Sequence, residues 1–312
     1  MRISGFGSCA LSNCVAAAML AGCGSQPPIG APGAMPQSNP MASFSAKGQN
    51  LLYVADLNGI VKIVSYPAGE KMGSIYYGPY SNLSGECTDR SGNVWITDYD
   101  IIKEYAHGGT KPIADKSFKW YLKGCSADPK TNDVAAVGQS GTVFIWSSTG
   151  GKVKTYHTKA FYTLRYCGYD ADGNLFVDGF EPNNNDKFLF FELPSGGTKF
   201  TQVSLDRKVR GAGQVQWDGR YVAIQNSDPP YAIYQVKVSG DTGTVVNTIG
   251  LDGLRAPVGP SWIAGSTVFV PYSVRGKFGD AIGVFGYPAG GKPVSVLQGK
   301  PYRYVNAVTL SR

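Results

Sequence analysis

A turn phrase and a strongly β-forming strand, each returning every 40 to 50 residues, predict an all-β chain of repeated antiparallel sheets, a six-bladed β-propeller with four-stranded blades. The phrase reads Tyr66-Pro67-Ala68-Gly69-Glu70-Lys71 near the start and Tyr287-Pro288-Ala289-Gly290-Gly291-Lys292 near the end. Weaker copies run from Tyr105 to Lys111, Trp146 to Lys152 and Leu193 to Lys199. The recurring strand begins at Leu52, Val94, Val134, Leu175, Tyr221 and Val268, intervals of 42, 40, 41, 46 and 47 residues. Composition agrees, with 41 Gly and 19 Pro for turns and 12% aromatic residues for strands. Apolar residues keep no helical spacing over any long window, so helices should be scarce.

Each unit assembles in order from these signals. The recurring strand is the second of its blade, and tight-turn residues precede it at Arg90–Asn93, Lys130–Asp133, Asp170–Asn174 and Asp218-Gly219. A third strand follows, as at Val61–Tyr66, Phe188–Leu193 and Ile282–Tyr287, and the glycine turn then leads to a fourth, as at Met72–Tyr76 and Val245–Ile249. The first unit starts directly at its second strand, while the tail Arg303–Leu310 supplies one strand too many. That spare strand should join the N-terminal blade and close the ring, hiding two sheet edges. The segment Leu52–Tyr66 resembles NHL- and YVTN-type propeller repeats, and the resemblance extends over roughly residues 50–310. It implies a fold and no particular activity.

The chain divides into a targeting segment at 1–22, a flexible linker at 23–48 and the propeller at 49–312. Arg2, the small and apolar run through Val15–Met19, and Leu20-Ala21-Gly22-Cys23 resemble a bacterial lipoprotein signal. The resemblance implies lipidation at Cys23, anchorage in the cell envelope and, with Gly24 rather than Asp next in line, the outer membrane. Residues 24–48 are rich in Pro, Gly, Ser and Gln and too polar to offset their ordering entropy, as expected of a tether. The net charge of +7 is spread over turn lysines instead of gathered on one face, which argues against nucleic acid as a partner.

Candidate chemistry is sparse. Cys87, Cys125 and Cys167 stand one blade apart on innermost strands. They read as small residues filling a crowded centre, with one inter-blade disulfide or a metal–thiolate site as alternatives. Asp170-Ala171-Asp172-Gly173-Asn174 begins like a calcium loop without its closing Glu and reads as a hairpin turn. Asp56, Asp98 and Asp178 recur at the ends of second strands, where an Asp caps the following turn. Six-bladed lactonases of the gluconolactonase and paraoxonase type hold calcium at the axis through Glu, Asn and Asp. Glu86, Asp98 and Asp178 could echo that set, which makes a calcium-dependent hydrolase the alternative function. The two histidines, His107 and His157, sit by outer turns, and no nucleophile elbow is present, so nucleophilic catalysis is disfavoured.

Long connections are expected in blades four to six, at Gly179–Asp186, Asn226–Pro230 and Ser273–Gly279. They should project beside inner-strand aromatics. Arg165, Trp217, Trp262, Tyr304, Asn184 and Arg275 are the candidate ligand contacts, although Trp217 and Trp262 also suit packing between blades. The sequence therefore predicts a monomeric, envelope-anchored binding or scaffold module for a protein, peptide or glycan, with no cofactor beyond a candidate calcium.

Overall fold

The structure is a computed structural model that describes residues 48–182, 184–256, 258–274 and 279–312, with the backbone alone described at 184–186. The signal segment, Cys23, Arg275 and the side chain of Asn184 lie outside the described residues.

Blade 1 takes β1 (Leu51–Asp56), β2 (Ile60–Ser65) and β3 (Lys71–Tyr76). Blade 2 holds β4 (Leu83–Thr88), β5 (Val94–Asp98), β6 (Ile101–Tyr105) and β7 (Pro112–Ser117). Blade 3 holds β8 (Leu122–Ala127), β9 (Asp133–Gly138), β10 (Thr142–Ser147) and β11 (Lys154–His157). Blade 4 is formed by β12 (Thr163–Tyr169), β13 (Leu175–Glu181), β14 (Asn184–Leu193) and β15 (Thr201–Gln202). A short strand, β16 (Ser204–Leu205), then runs parallel to the edge of blade 5. That blade holds β17 (Val215–Trp217), β18 (Val222–Asn226), β19 (Ala232–Ser239) and β20 (Thr242–Gly250). Blade 6 holds β21 (Trp262–Ala264), β22 (Thr267–Tyr272), β23 (Ala281–Gly286) and β24 (Ser295–Gln298). The last strand, β25 (Val305–Ser311), is the innermost strand of blade 1. The fold is a six-bladed β-propeller, and no helix occurs among the described residues.

Side-chain alternation explains the ring. Along β1, Leu51, Tyr53 and Ala55 pack toward blade 2, whereas Leu52 and Val54 pack toward blade 6. A strand buried on both faces reads as an unbroken apolar run, and all six residues of β1 are buried. The core is accordingly divided into six clusters, each filling the seam between two neighbouring blades. Burial fades outward, so outermost strands such as β7 and β11 are mostly exposed.

The expected closure is present: β25 pairs antiparallel with β1, placing Leu52 opposite Leu310 and Val54 opposite Val308. The Tyr-Pro-Ala-Gly phrase forms the turns between β2 and β3 and between β23 and β24, on the outer rim. Segment Gly179–Asp186 departs from expectation. Most of it is strand, because β13 and β14 extend to 7 and 10 residues and carry their hairpin outward.

Cys87 and Cys125 form a disulfide that ties blade 2 to blade 3, and Cys167 remains a free, buried thiol. Strand parity decides this pairing. Leu83 and Leu122 are equivalent and stand 39 residues apart, but the two cysteines stand 38 apart. Cys87 is thus displaced by one residue and faces forward to blade 3, while Cys125 faces back to blade 2. Cys167 occupies the same position as Cys125 and faces back into the seam with blade 3, where Sγ lies 4.0 Å from the carbonyl of Ala135. Constraining a loop of that length in the unfolded chain stabilises the fold by about 4 kcal/mol on the chain-entropy model.

Candidate functional site

Four innermost strands share one local device. Val305, Leu83 and Leu122 open these strands in blades 1 to 3 and Leu164 stands second in that of blade 4, and each packs back against the preceding blade. Immediately afterwards the register with the neighbouring strand slips, leaving Asn306, Ser84, Lys123 and the pair Arg165-Tyr166 without ladder partners. Such bulges bend a strand and re-aim a side chain. These residues all line one cavity of about 160 Å³, with Asn82 and Pro260 completing its wall. It forms a mouth at the end of the axis where the inner strands begin. Gly85 and Gly124 follow two of the bulges, and close blade contact requires them. A Cβ on Gly85 would lie 2.4 Å from the carbonyl oxygen of Lys123, and one on Gly124 would lie 2.9 Å from that of Arg165.

The bulged side chains are not equivalent. Asn306 Nδ2 donates to the carbonyl of Leu83, and Ser84 Oγ donates to that of Leu122 at 3.1 Å. In each case a short side chain links its blade to the next. In blades 3 and 4 the same position carries long cations. Lys123 is half-buried and Arg165 exposed, and neither joins an ion pair among the described residues. Burial, reinforced by the Arg165 charge, holds the Lys123 ammonium below its ordinary pKa. Both cations also line a second cavity of about 290 Å³ with Gln139, Ser140, Tyr162 and Thr163. Lys123 and Arg165 therefore join the axial mouth to a groove above the seam between blades 3 and 4.

Exposed aromatic residues form an arc on the same face, and one of them, Tyr162, lines this groove. Tyr80, Tyr99, Trp120, Tyr121, Tyr162 and Tyr304 all lie in loops of the same face. Backbone hydrogen bonds fix three of its members, from Leu122 N–H to the Tyr99 carbonyl, Gln139 N–H to that of Tyr121 and Ser140 N–H to that of Tyr162. The rings of Tyr99 and Tyr121 lie 5.3 Å apart, and Lys119 Nζ lies 5.5 Å from the Trp120 ring. Tyr99, Ser140 and Tyr304 hold positive φ angles of 48°, 59° and 59° on this face, conformations that cost energy in side-chain-bearing residues and collect at functional sites.

The sequence-predicted residues distribute unevenly. Arg165 and Tyr304 lie on this face. Trp217 and Trp262 do not accompany them, because they lie toward the other end of the axis. There, half-buried, they line a cavity of about 180 Å³ with Tyr169 and the disulfide. Glu86, Asp98 and Asp178 do not form a group of three suited to a metal, and no such group of His, Cys, Asp or Glu occurs among the described residues. Asp98 accepts the N–H of Asn82 at 2.8 Å, and Asp178 accepts those of Tyr166 at 2.9 Å and Gly213 at 3.3 Å. Asp56 caps its own turn through the N–H groups of Asn58 and Ile60. Asp170 does the same for Asp172 and Asn174, as a hairpin turn should.

Glu86 does not reach the axial opening. It sits in the seam between blades 1 and 2, at the position held by Val308, Cys125 and Cys167 in other blades, with neither carboxyl oxygen hydrogen-bonded. Sequence reading missed Lys123 altogether, although the alignment of Leu83-Ser84-Gly85 with Leu122-Lys123-Gly124 marks it.

No protein-family model and no curated protein matches this sequence. Solved structures do share its fold. A protein of unknown function from Bacteroides caccae superposes with a TM-score of 0.63 at 12% identity, over 85% of this chain and 99% of that one. The β-propeller domain of Cps50 (Swd1) from Myceliophteria thermophila gives 0.58 at 12% identity, over 81% and 83%. At such identity the likeness carries the fold alone.

Burial pushes the Glu86 carboxyl well above the ordinary carboxylate range. The folded chain then holds a proton that the unfolded chain releases above about pH 4.5, so the stabilising contribution of the neutral form is present in acid and lost as pH rises. The contribution to the slope is up to about 1.4 kcal/mol per pH unit. Unfolding of Glu86→Gln between pH 4 and 8 should show a flatter pH dependence than the unmodified chain, with a gain in stability at pH 8. Parallel curves would refute this placement.

Proposed function

We propose that this protein is a ligand-binding module of the bacterial cell envelope, and that it engages its partner at the axial mouth and aromatic arc of blades 1 to 4. The observation that carries this reading is the bulge repeated in four inner strands, which turns one polar side chain per blade into a shared opening bordered by exposed Tyr and Trp. Loops on a rigid scaffold are the usual seat of recognition, and exposed aromatics beside Arg are its usual contacts. His107 bonds Ser311 Oγ and His157 lies on the outermost strand of blade 3, so neither lines the opening. This favours binding over acid–base catalysis.

The Cys87–Cys125 disulfide supports an exported protein, because such bonds persist in oxidising compartments. Lipidation at Cys23 and NHL- or YVTN-type repeats complete the reading. Mass spectrometry of the mature N-terminus should find Cys23 acylated, and an unmodified cysteine would remove the anchor from the account.

An array of neutral glycans, acidic glycans and peptides tests the site. The double variant Tyr121→Ala/Tyr162→Ala should lose at least about tenfold of the capture shown by the unmodified chain. Tyr76→Ala, on the outermost strand of blade 1, should lose none. Both lie at exposed positions, where substitutions shift stability by about 0.5 kcal/mol or less. Undiminished capture by the double variant would place the site elsewhere.

A further inference from the structure

We infer that the partner is an acidic glycan, whose carboxylated sugar is held between Lys123 and Arg165 while neighbouring sugar rings lie on the tyrosine arc. The inference rests on the binding reading above and narrows it to one ligand class.

Three observations lead to it. The first is charge: of the four bulged positions at the axial mouth, blades 1 and 2 use short side chains bonded to the next blade, and blades 3 and 4 use cations. No carboxylate lines either cavity that these cations share. Asp178 lies nearby, but burial favours its neutral form and its oxygens already take the N–H groups of Tyr166 and Gly213. Two like charges so close, one of them half-buried, repel each other until an anion lies between them. A planar guanidinium paired with an ammonium suits a carboxylate, which the guanidinium can take through two parallel hydrogen bonds.

The second observation is the lining. Besides the cations, the two cavities present Asn, Gln, Ser and Thr side chains, two Tyr and one Pro, with no aliphatic side chain. A peptide anchor would need an apolar socket for its aromatic or aliphatic side chain. Amide and hydroxyl groups instead match the hydroxyls of a sugar.

The third observation is the platform. Tyr121 and Tyr162 are 47% and 59% exposed and flank Gln139 and Ser140. Flat rings presented to solvent at the edge of a polar groove offer the face against which the C–H side of a sugar packs. Positive φ at Ser140 and Tyr99 fixes the backbone that presents them.

Calorimetric titration of the mature chain with tetragalacturonate, its methyl ester and tetraglutamate tests the inference. Tetragalacturonate should bind at least about tenfold more tightly than either of the others, and binding should weaken as salt rises. Arg165→Gln and Lys123→Gln should each cost about tenfold or more, with Arg165→Lys recovering part of the loss. Arg165 is exposed, so its variants remain decisive if Lys123→Gln proves unstable. Equal binding of the methyl ester, tighter binding of tetraglutamate, or no binding of tetragalacturonate would each overturn the inference. If Tyr121→Ala/Tyr162→Ala abolishes array capture and the captured ligands are neutral glycans or peptides, the site stands and only the ligand class falls.

Discussion

The pairing of β25 with β1 is the constraint on which the rest of this molecule depends. Each blade buries both faces against its neighbours, so no blade has a core of its own. A gap at any seam would expose apolar faces on two blades, and an unpaired β25 would also leave the inner edge of β1 open. Joining the last strand to the first closes the sixth seam, where Phe269, Ile282, Val308 and Leu310 pack together. Closure also brings Asn306 to the mouth beside Ser84, so that residues from opposite ends of the chain line one cavity.

Within that closed ring, the inner-strand bulge gives a structural repeat its candidate site. A regular strand would alternate between its two seams and leave nothing for the axis. One unpaired residue breaks the alternation and frees a side chain to turn inward. Where that side chain is short, it is spent on holding blades together. Where it is Lys or Arg, it lines the mouth without an ion pair among the described residues. The disulfide lies toward the other end of the same strands, close to Trp217 and Trp262, and staples blades 2 and 3 without intruding on the mouth.

Much of this was legible in the sequence because strand identity, turn chemistry and repeat length are local signals. The order of strands and the joining of the two ends followed from counting strands per repeat. The site was harder to read, and the bulges explain why. A single extra residue frees its own side chain for the opening and returns those after it to the seams, so Glu86, expected at the opening because it stands near the start of an innermost strand, lies sealed in a seam instead. Cys87 and Cys125 come face to face because Cys87 stands one position further along its strand, a one-residue difference that spacings of about one blade concealed. Trp217 and Tyr304 were expected side by side because both belong to inner strands, but one ends its strand and the other precedes it.

Native-state hydrogen exchange measures the central dependence most directly. If closure holds the ring, amides in β1 and β25 should exchange only through global unfolding. Their opening free energy and denaturant dependence would then equal those of β9, which lies in the interior of the chain. Exchange of β25 through a local opening several kcal/mol below the global value, with β9 still protected, would show that the ring stands without its closing strand and contradict the account.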